Sequence, residues 1–166
     1  MPPKAAFDPN AVHFLFMKVV GGEAAPAAAL APKCSPIGMP PKTVADAIQK
    51  STGDWKGMKV EVEVRIQNKQ AQVRVLPTAA PLILKALKEP ARDRKKTKNI
   101  VHNGNLKLDQ VIEIAKALRE KSMAAEFSGT VLEVLGTCVS VGCTVNGDSP
   151  KKITAGIKSG EIDVTA

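Results

Sequence analysis

The chain has 166 residues and a formal net charge of +8, with 24 Lys and Arg against 16 Asp and Glu. This length allows one domain or two small ones, and the charge favours a polyanionic partner, with a solvated basic surface as the alternative. Aromatic residues are scarce, with four Phe, one Trp and no Tyr. No apolar run approaches the length of about 18 residues that a membrane-spanning helix needs, so no membrane partner is expected.

The sequence gives little support for a metal site or an enzyme active site. Cys34, Cys138 and Cys143 form no CxxC pair, and His13 and His102 are distant from them in the sequence, so no metal site is predicted. The chain lacks the GxxxxGK[ST] phosphate cradle, a Ser-His-Asp or Cys-His arrangement and an evident carboxylate pair. We therefore predict no cofactor and no enzymatic activity.

The first apolar segment, "AVHFLFMKVV", is followed by "GEAAPAAALA" and superficially resembles a secretory signal peptide. His13 and Lys18 interrupt the apolar run and Asp8 precedes it, so we expect no cleaved leader. Residues 12–20 instead predict a strand that ends at Gly21.

Residues 58–76 predict a β-hairpin with one wet face. "MKVEVEVRI" alternates apolar and charged residues without error, and "QAQVRV" returns after a turn around residues 67–69. Between the first strand and this hairpin, "PPKTVADAIQKSTGDW" predicts a helix that begins near Pro41 and buries Val44 and Ile48. Residues 8–76 thus predict a small α/β domain, a short antiparallel sheet with helices on one side.

The segment that connects the first strand to this helix, residues 21–42, is rich in proline and small residues. Pro26, Pro32 and Pro36 predict a stiffened surface loop. Such a loop either packs on the sheet or offers a docking platform to another protein or an RNA, and the residues alone leave both alternatives open.

After Pro77 the apolar period becomes helical. Thr78 is placed to cap "AAPLILKALK", a second helix is predicted over "LDQVIEIAKALREKSM", and a third over residues 125–141. These three helices form an all-helical C-terminal domain over residues 77–148, with a basic loop at 89–105. Residues 149–166 are a tail in which a short helix is expected after Pro150. The predicted fold class is α+β.

The positive charge is concentrated where the first two of these helices are joined. Residues 85–98 contain seven basic residues and two acidic ones, a net +5, whereas residues 107–148 carry four basic and six acidic residues, a net −2. A solvated linker, a nuclear import signal and a phosphate-binding loop all fit this pattern. The loop has no aromatic residue for stacking on unpaired bases, which favours recognition of a folded RNA by its backbone.

The third predicted helix has one face with almost no bulk. Its apolar stripe consists of Phe127, Val131, Val134, Leu135, Cys138 and Val141, and the opposite face carries Gly129, Glu133, Gly136, Thr137 and Ser140. Each mid-helix glycine costs roughly 1 kcal/mol relative to alanine. The face therefore predicts close approach of the helix backbone to a shallow RNA groove, or else tight packing against another helix.

Taken together, several motifs along the chain resemble those of a known protein family. "MPPKAAFDPN", "TGDWKG", "IQNKQAQV", "LKALKEPARDRKKTKNIVHNGN" and "GTCVSVGC" are similar to the universal ribosomal stalk-base protein, which is protein eleven of the bacterial large subunit and protein twelve of cytosolic eukaryotic ribosomes. The resemblance covers nearly the whole chain. The "PPK" start and the "DRKK" loop point to the eukaryotic branch.

The resemblance implies an α/β N-terminal domain and a helical RNA-binding domain joined at a proline. It implies binding to the GTPase-associated region of large-subunit rRNA and support of translation-factor GTPase action, with an acidic stalk protein and translation GTPases as partners. It further implies a location in the cytoplasm and assembly in the nucleolus. The rRNA-binding residues carried over or predicted above are Arg92, Arg94, Lys95, Lys96, Lys98, Asn99, Gly129, Gly136, Thr137, Ser140 and Gly142.

The resemblance also assigns roles in the N-terminal domain. Pro26, Pro32 and Pro36 would face the translation factors and the thiazole-type antibiotics that act in relatives, and Pro2 and Lys4 resemble a site of N-terminal methylation.

Three positions depart from the family's pattern. Val139 stands where relatives usually have Arg or Gln, and Ser35 where many have Gly. Lys107 occupies a slot that is often the Thr cap of the second helix, so a weaker cap is expected unless Asp109 substitutes.

The alternative hypothesis is a non-ribosomal adaptor that binds acidic proteins or duplex nucleic acid through the basic loop. A helix that reads DNA normally carries Arg, Asn or Gln for the base edges, and the outer face of the third helix has none.

Overall fold

The computed structural model describes residues 11–68, 70–89, 96–97 and 100–164. The chain divides between Leu76 and Pro77 into two compact units, each with its own hydrophobic core. The predicted α+β class is confirmed: a small antiparallel sheet with helices is followed by a mainly helical region. Within the described residues, no helix has both the length and the apolar character required to cross a membrane.

The first unit is built on three strands, β1 (His13–Val20), β2 (Lys59–Gln67) and β3 (Gln70–Leu76), which pair antiparallel in the order β1-β2-β3. The alternation in β2 places Val60, Val62, Val64 and Ile66 in the core. Phe14 of β1 lies opposite Arg65, which in turn lies opposite Gln72 of β3. Between β2 and β3, Asn68 has a φ of 51°, which suits the tight turn of a two-residue hairpin.

Two helices cover one face of this sheet, α1 (Ala27–Cys34) and α2 (Pro41–Ser51). The prediction of an irregular loop over residues 21–42 was wrong, because α1 and a short 3-10 turn over Ser35–Ile37 occupy much of it. Alanine-rich sequence favours the helix, and burial of Leu30 and Cys34 stabilises it although Pro32 lies inside.

A set of backbone contacts fixes the point where β1 leaves the sheet. Gly21 N donates to Met58 O over 2.8 Å, and Gly22 N donates to Thr52 Oγ1 over 3.2 Å. A side chain at Gly21 would overlap the backbone oxygen of Trp55. Gly21 and Gly22 therefore pack against the "TGDWKG" motif, and this packing fixes where the proline-rich segment begins.

The second unit contains four helices and a short parallel strand pair. The helices are α3 (Ala79–Ala86), α4 (Leu108–Leu118), α5 (Phe127–Val141) and α6 (Pro150–Ser159); the strands are β4 (Asn105–Leu106) and β5 (Thr144–Val145). The first two helices end earlier than predicted, and the strand pair was not foreseen. The most deeply buried large side chains of this unit are Ile83, Leu106, Val111, Val131 and Leu135.

The helix expected after Pro150 is present and packs into the core of this unit. Ile153 is buried among the side chains of the other helices, and Ile157 and Ile162 pack against the same cluster. The chain turns back after Gly160, which has a φ of 81°, and Gly156 O accepts the N–H groups of Glu161 and Ile162. A left-handed glycine followed by such bonds is a common way to end a helix.

The starts of α3 and α4 differ from expectation. Thr78 makes no side-chain cap bond to α3. At α4, the substitute for the missing threonine is not Asp109: Lys107 N donates to Gln110 Oε1 over 3.0 Å, and Leu108 N donates to Asn146 Oδ1 over 3.1 Å. Asn146 follows β5, so the cap comes from a distant part of the chain and satisfies an amide that would otherwise need water.

Candidate nucleic-acid interface

The outer face of α5 lies in the fold as the helical period predicts. Val131, Val134, Leu135 and Cys138 are buried, whereas Glu133, Gly136 and Ser140 are exposed and Thr137 is partly exposed. We call Gly136, Thr137 and Ser140 the α5 outer face. It presents a bare stretch of helix backbone bordered by two hydroxyl groups.

The two glycines of α5 differ in whether packing within the described structure requires a glycine. A Cβ on Gly129 would lie 2.8 Å from the Cβ of Ala124, so the preceding loop already requires a residue without a side chain there. A Cβ on Gly136 would meet nothing within 4 Å. The absence of a side chain at Gly136, with its cost of roughly 1 kcal/mol in helix propensity, is therefore not explained by packing within the described structure.

The two hydroxyl groups of the α5 outer face donate to the helix backbone. Thr137 Oγ1 donates to Glu133 O over 3.1 Å, and Ser140 Oγ donates to Thr137 O over 2.8 Å. Each oxygen keeps its acceptor lone pairs for a donor from outside, such as a ribose 2′-hydroxyl. The face can thus accept hydrogen bonds without losing those of the free protein.

Gly142 has a conformational role at the end of α5. Its φ is 93°, its N–H donates to Cys138 O over 2.9 Å, and a side chain there would overlap Val101. A left-handed residue at this position favours glycine. The structure therefore explains this predicted interface residue by helix termination and by close packing of the returning loop.

The ends of the basic loop meet beside the C-terminus of α5. His102 Nδ1 contacts Glu89 Oε2, His102 N donates to Val141 O over 3.1 Å, and a side chain on Gly104 would overlap Leu87. The residues at which the basic loop begins and ends are therefore close together, and they lie near the α5 outer face. Neither Glu89 nor His102 was recognised in the sequence as part of this site.

Of the loop residues predicted to bind RNA, the structure describes Lys96, which is exposed. The others, Arg92, Arg94, Lys95, Lys98 and Asn99, lie outside the described residues, as do Pro2 and Lys4. Apolar side chains flank the interface where the loop returns: Ile100, Val101 and, on α5, Val139 are exposed. At Val139 the apolar side chain is thus in contact with solvent.

Arg119 holds the loop between α4 and α5, a role that its position in a predicted helix did not reveal. Its guanidinium donates to Ala124 O over 2.7 Å, to Ala125 O over 2.9 Å and to Thr130 Oγ1 over 3.1 Å. Thr130 is buried, and its hydroxyl donates to Ser122 Oγ over 3.0 Å. These bonds fix the N-terminal end of the helix that carries the interface.

In the first unit, the three proline residues predicted to face translation factors are all exposed. Pro26 precedes α1 with extended backbone, Pro32 lies within α1 and Pro36 lies in the 3-10 turn that follows. Ser35, one of the departures from the family pattern, is also exposed. The structure places all four on one short helical segment that is anchored by the buried side chains of Leu30 and Cys34.

The cysteines are placed as core residues. Cys34, Cys138 and Cys143 are buried and unbridged. Burial raises the pKa of Cys138 to about 12, with the nearby Cys143 adding to the effect, and burial also raises the pKa of Cys34 and of Cys143. Among the residues that the structure describes, no three His, Cys, Asp or Glu side chains are grouped to hold a metal ion.

Comparisons with known proteins assign the family. Residues 15–71 match the profile described as "Ribosomal protein L11, N-terminal domain", and residues 75–145 match "Ribosomal protein L11, RNA binding domain". The chain is 56% identical to large ribosomal subunit protein uL11A of Schizosaccharomyces pombe, 55% to uL11 of Neurospora crassa and 54% to uL11x of Arabidopsis thaliana. Each alignment covers 99% of this chain and 98% of the relative. The resemblance seen in the motifs is confirmed, and the chain belongs to the ribosomal protein L11 family, within its eukaryotic uL11 proteins.

Proposed function

We propose that this protein, a structural component and not an enzyme, binds the GTPase-associated region of large-subunit rRNA at the stalk base and supports translation-factor GTPase action. The observation that carries the proposal is Gly136, whose open, side-chain-free position on α5 is not explained by packing against any residue that the structure describes. The match of residues 75–145 to an RNA-binding domain supports RNA binding by the unit that contains α5.

In this proposal two recognition modes act together in the second unit. The α5 outer face fits a wide, shallow RNA groove, because close approach requires small residues and hydrogen-bonding groups. The cations of the basic loop, Lys96 among them, neutralise phosphates and release counterions. Glu89 and His102, at the two ends of this loop, contact each other, and His102 N donates to Val141 O at the end of α5.

The first unit would serve the translation factors. Pro26, Pro32 and Pro36 form an exposed, stiff segment on α1 and its 3-10 turn. Such a segment loses little conformational entropy when a partner binds. We therefore assign it to transient contacts with translation GTPases and thiazole-type antibiotics, and we propose the acidic ribosomal stalk protein as the neighbouring protein partner.

The proposed location is the cytosolic ribosome, with assembly in the nucleolus. The start "PPK" is proposed to be methylated at Pro2 or Lys4 after removal of Met1. Intact-mass measurement of the protein purified from its source is expected to show added methyl groups. A mass equal to that of the unmodified chain would contradict this assignment.

The direct test is titration of the full chain with a hairpin-junction RNA from the GTPase-associated region, compared with an unrelated RNA duplex of equal length. We expect tighter binding to the junction RNA at every salt concentration. The slope of log affinity against log salt should be about −3 to −6, which corresponds to several neutralised phosphates. Equal affinity for both RNAs would reject specific recognition and leave a cationic loop that binds any polyanion, as in the adaptor hypothesis.

A further inference from the structure

The sheet of the first unit leaves two phenylalanine rings in contact with solvent. Phe14 is 52% exposed and Phe16 is 53% exposed, whereas Leu15 and Met17 of the same strand pack against the core. These are two of only four Phe in the chain. Leaving both rings outside forfeits the free energy that their burial would contribute, so this face of the sheet is a candidate binding surface.

The strand register surrounds these rings with polar and charged side chains. We call the outward residues of β1, β2 and β3 the open sheet face: Phe14, Phe16, Lys18, Glu61, Glu63, Arg65, Gln72 and Arg74. Glu61 lies opposite Lys18, and Glu63 lies opposite Arg74. Each acid thus has a cation directly across the strand pair.

The row nearest the hairpin turn has a different character. Phe14, Arg65 and Gln72 lie side by side across the three strands, and no acid occupies that row. This row therefore combines an aromatic ring, a guanidinium and an amide, the three groups that recognise an unpaired nucleotide.

Two shallow grooves follow the open sheet face and share Arg65 and Gln72. One, of about 440 Å³, is lined by Phe14, Glu63, Arg65, Gln72, Val73 and Arg74. The other, of about 150 Å³, is lined by Arg65, Gln67, Asn68, Gln70 and Gln72. The described lining of the second groove consists of amides and a guanidinium, which are groups that hydrogen-bond base edges and phosphate oxygens.

We propose that the open sheet face binds an unpaired stretch of RNA. Bases stack on Phe14 and Phe16, Arg65 and Arg74 hold phosphates, and the glutamine amides near the hairpin turn contact base edges. Aromatic rings on an exposed sheet are a common platform for single-stranded RNA. This mode differs from the backbone recognition proposed for the α5 outer face, and it uses a separate unit of the chain.

The composition of the surface favours RNA over a protein partner. A protein-binding patch of this kind would be expected to have an apolar centre in which charged residues are depleted. Here the two rings are bordered by amides and by charged side chains of β2 and β3. Cations outnumber acids among the outward residues. Lys18, Arg65 and Arg74 are exposed, whereas Glu61 and Glu63 are partly buried, so a polyanion would meet the cations first.

The test is a titration of the full chain with a fluorescently labelled octauridylate, which forms no helix. Backbone-amide NMR spectra recorded along the titration report where it binds. We expect the double variant Phe14→Leu with Phe16→Leu to lose affinity by tenfold or more, because leucine has no ring to stack on. The matched variant Phe14→Tyr with Phe16→Tyr should bind like the unsubstituted chain.

Each alternative result overturns the proposal. Octauridylate that fails to bind the unsubstituted chain, or that shifts amides of α5 and not those of β1 to β3, would place the binding elsewhere. Leucine variants that bind as well as the phenylalanine chain would exclude stacking. If hexaglutamate, added at the same total negative charge as the RNA, displaced the RNA, the open sheet face would be assigned to an acidic protein instead. Unfolding midpoints of the variants, expected to match because the rings are exposed, exclude a folding defect.

Discussion

Gly136→Val is expected to weaken binding of the full chain to the GTPase-region RNA by roughly 30- to 150-fold. The added side chain would keep the helix backbone from approaching the groove, and a steric cost of about 2–3 kcal/mol corresponds to that loss. The free protein should remain folded, because a Cβ at this position meets no atom within 4 Å. Affinity by filter binding or calorimetry and stability by urea unfolding are measured on the same preparations.

The alanine variants of the two α5 glycines provide matched controls. Gly136→Ala should raise the unfolding free energy by about 1 kcal/mol through helix propensity while still weakening RNA binding. Gly129→Ala forces a Cβ to within 2.8 Å of Ala124, so it should not stabilise the protein and should change RNA affinity little. If Gly136→Val bound RNA like the unsubstituted chain, the α5 outer face would not be the RNA surface.

Arg119→Met is expected to lower the unfolding free energy by about 2–4 kcal/mol. The substitution removes charge-assisted bonds to the carbonyls of Ala124 and Ala125 and to the hydroxyl of Thr130, and bonds to charged groups contribute about 1.5–3 kcal/mol each when their partners are left unsatisfied. The bond to Ala125 O is exposed, so water can replace the guanidinium there, which limits the total. Urea unfolding monitored by circular dichroism measures the change.

Lys116→Met on the same helix is the matched control, since Lys116 is exposed and its side chain lies on the solvent side of α4. It should change stability by less than about 0.5 kcal/mol. Arg119→Lys should recover part of the loss, because an ammonium retains the charge but not the planar fork of donors. Equal stability of Arg119→Met and Lys116→Met would show that the bonds to the α4–α5 loop contribute nothing.

The features that were predicted from sequence are those with a local, repeating cause. The alternation of residues 58–66 identified β2 and its buried face, and the helical period of residues 127–141 identified the core stripe of α5. Pro77 ends the strand pattern because it removes a backbone donor, and the two compact units divide at that residue. Such patterns arise within one element and need no knowledge of its neighbours.

The features that were missed depend on contacts between distant parts of the chain. The prolines in and beside α1 predict a loop, whereas the helix is stabilised by burial of Leu30 and Cys34, which only the folded sheet provides. The cap of α4 by Asn146 joins residues 38 positions apart. Local secondary-structure propensity indicates neither contact.

In the candidate site, too, the locally determined features were predicted and the contacts between distant residues were missed. The bare face of α5 was visible in the sequence, but the difference between Gly129 and Gly136 depends on where Ala124 lies. The closing of the basic loop by Glu89 and His102 likewise required the positions of both ends. The nearly continuous apolar run of residues 12–20 did not predict the exposure of Phe14 and Phe16, and their surroundings depend on the register of three strands.

The position of α6 has a consequence for how the chain is made. The buried core of the first unit and the partly buried side chains packed on it lie within residues 15–75, so this unit can fold while the rest of the polypeptide is still being synthesised. The second unit needs Ile153 of α6, which is buried in the core cluster of this unit where α6 packs against α5, with Ile157 and Ile162 packed on the same cluster. Its core stays incomplete until those last residues have emerged from the translating ribosome, so the RNA-binding half of the protein matures after the other half.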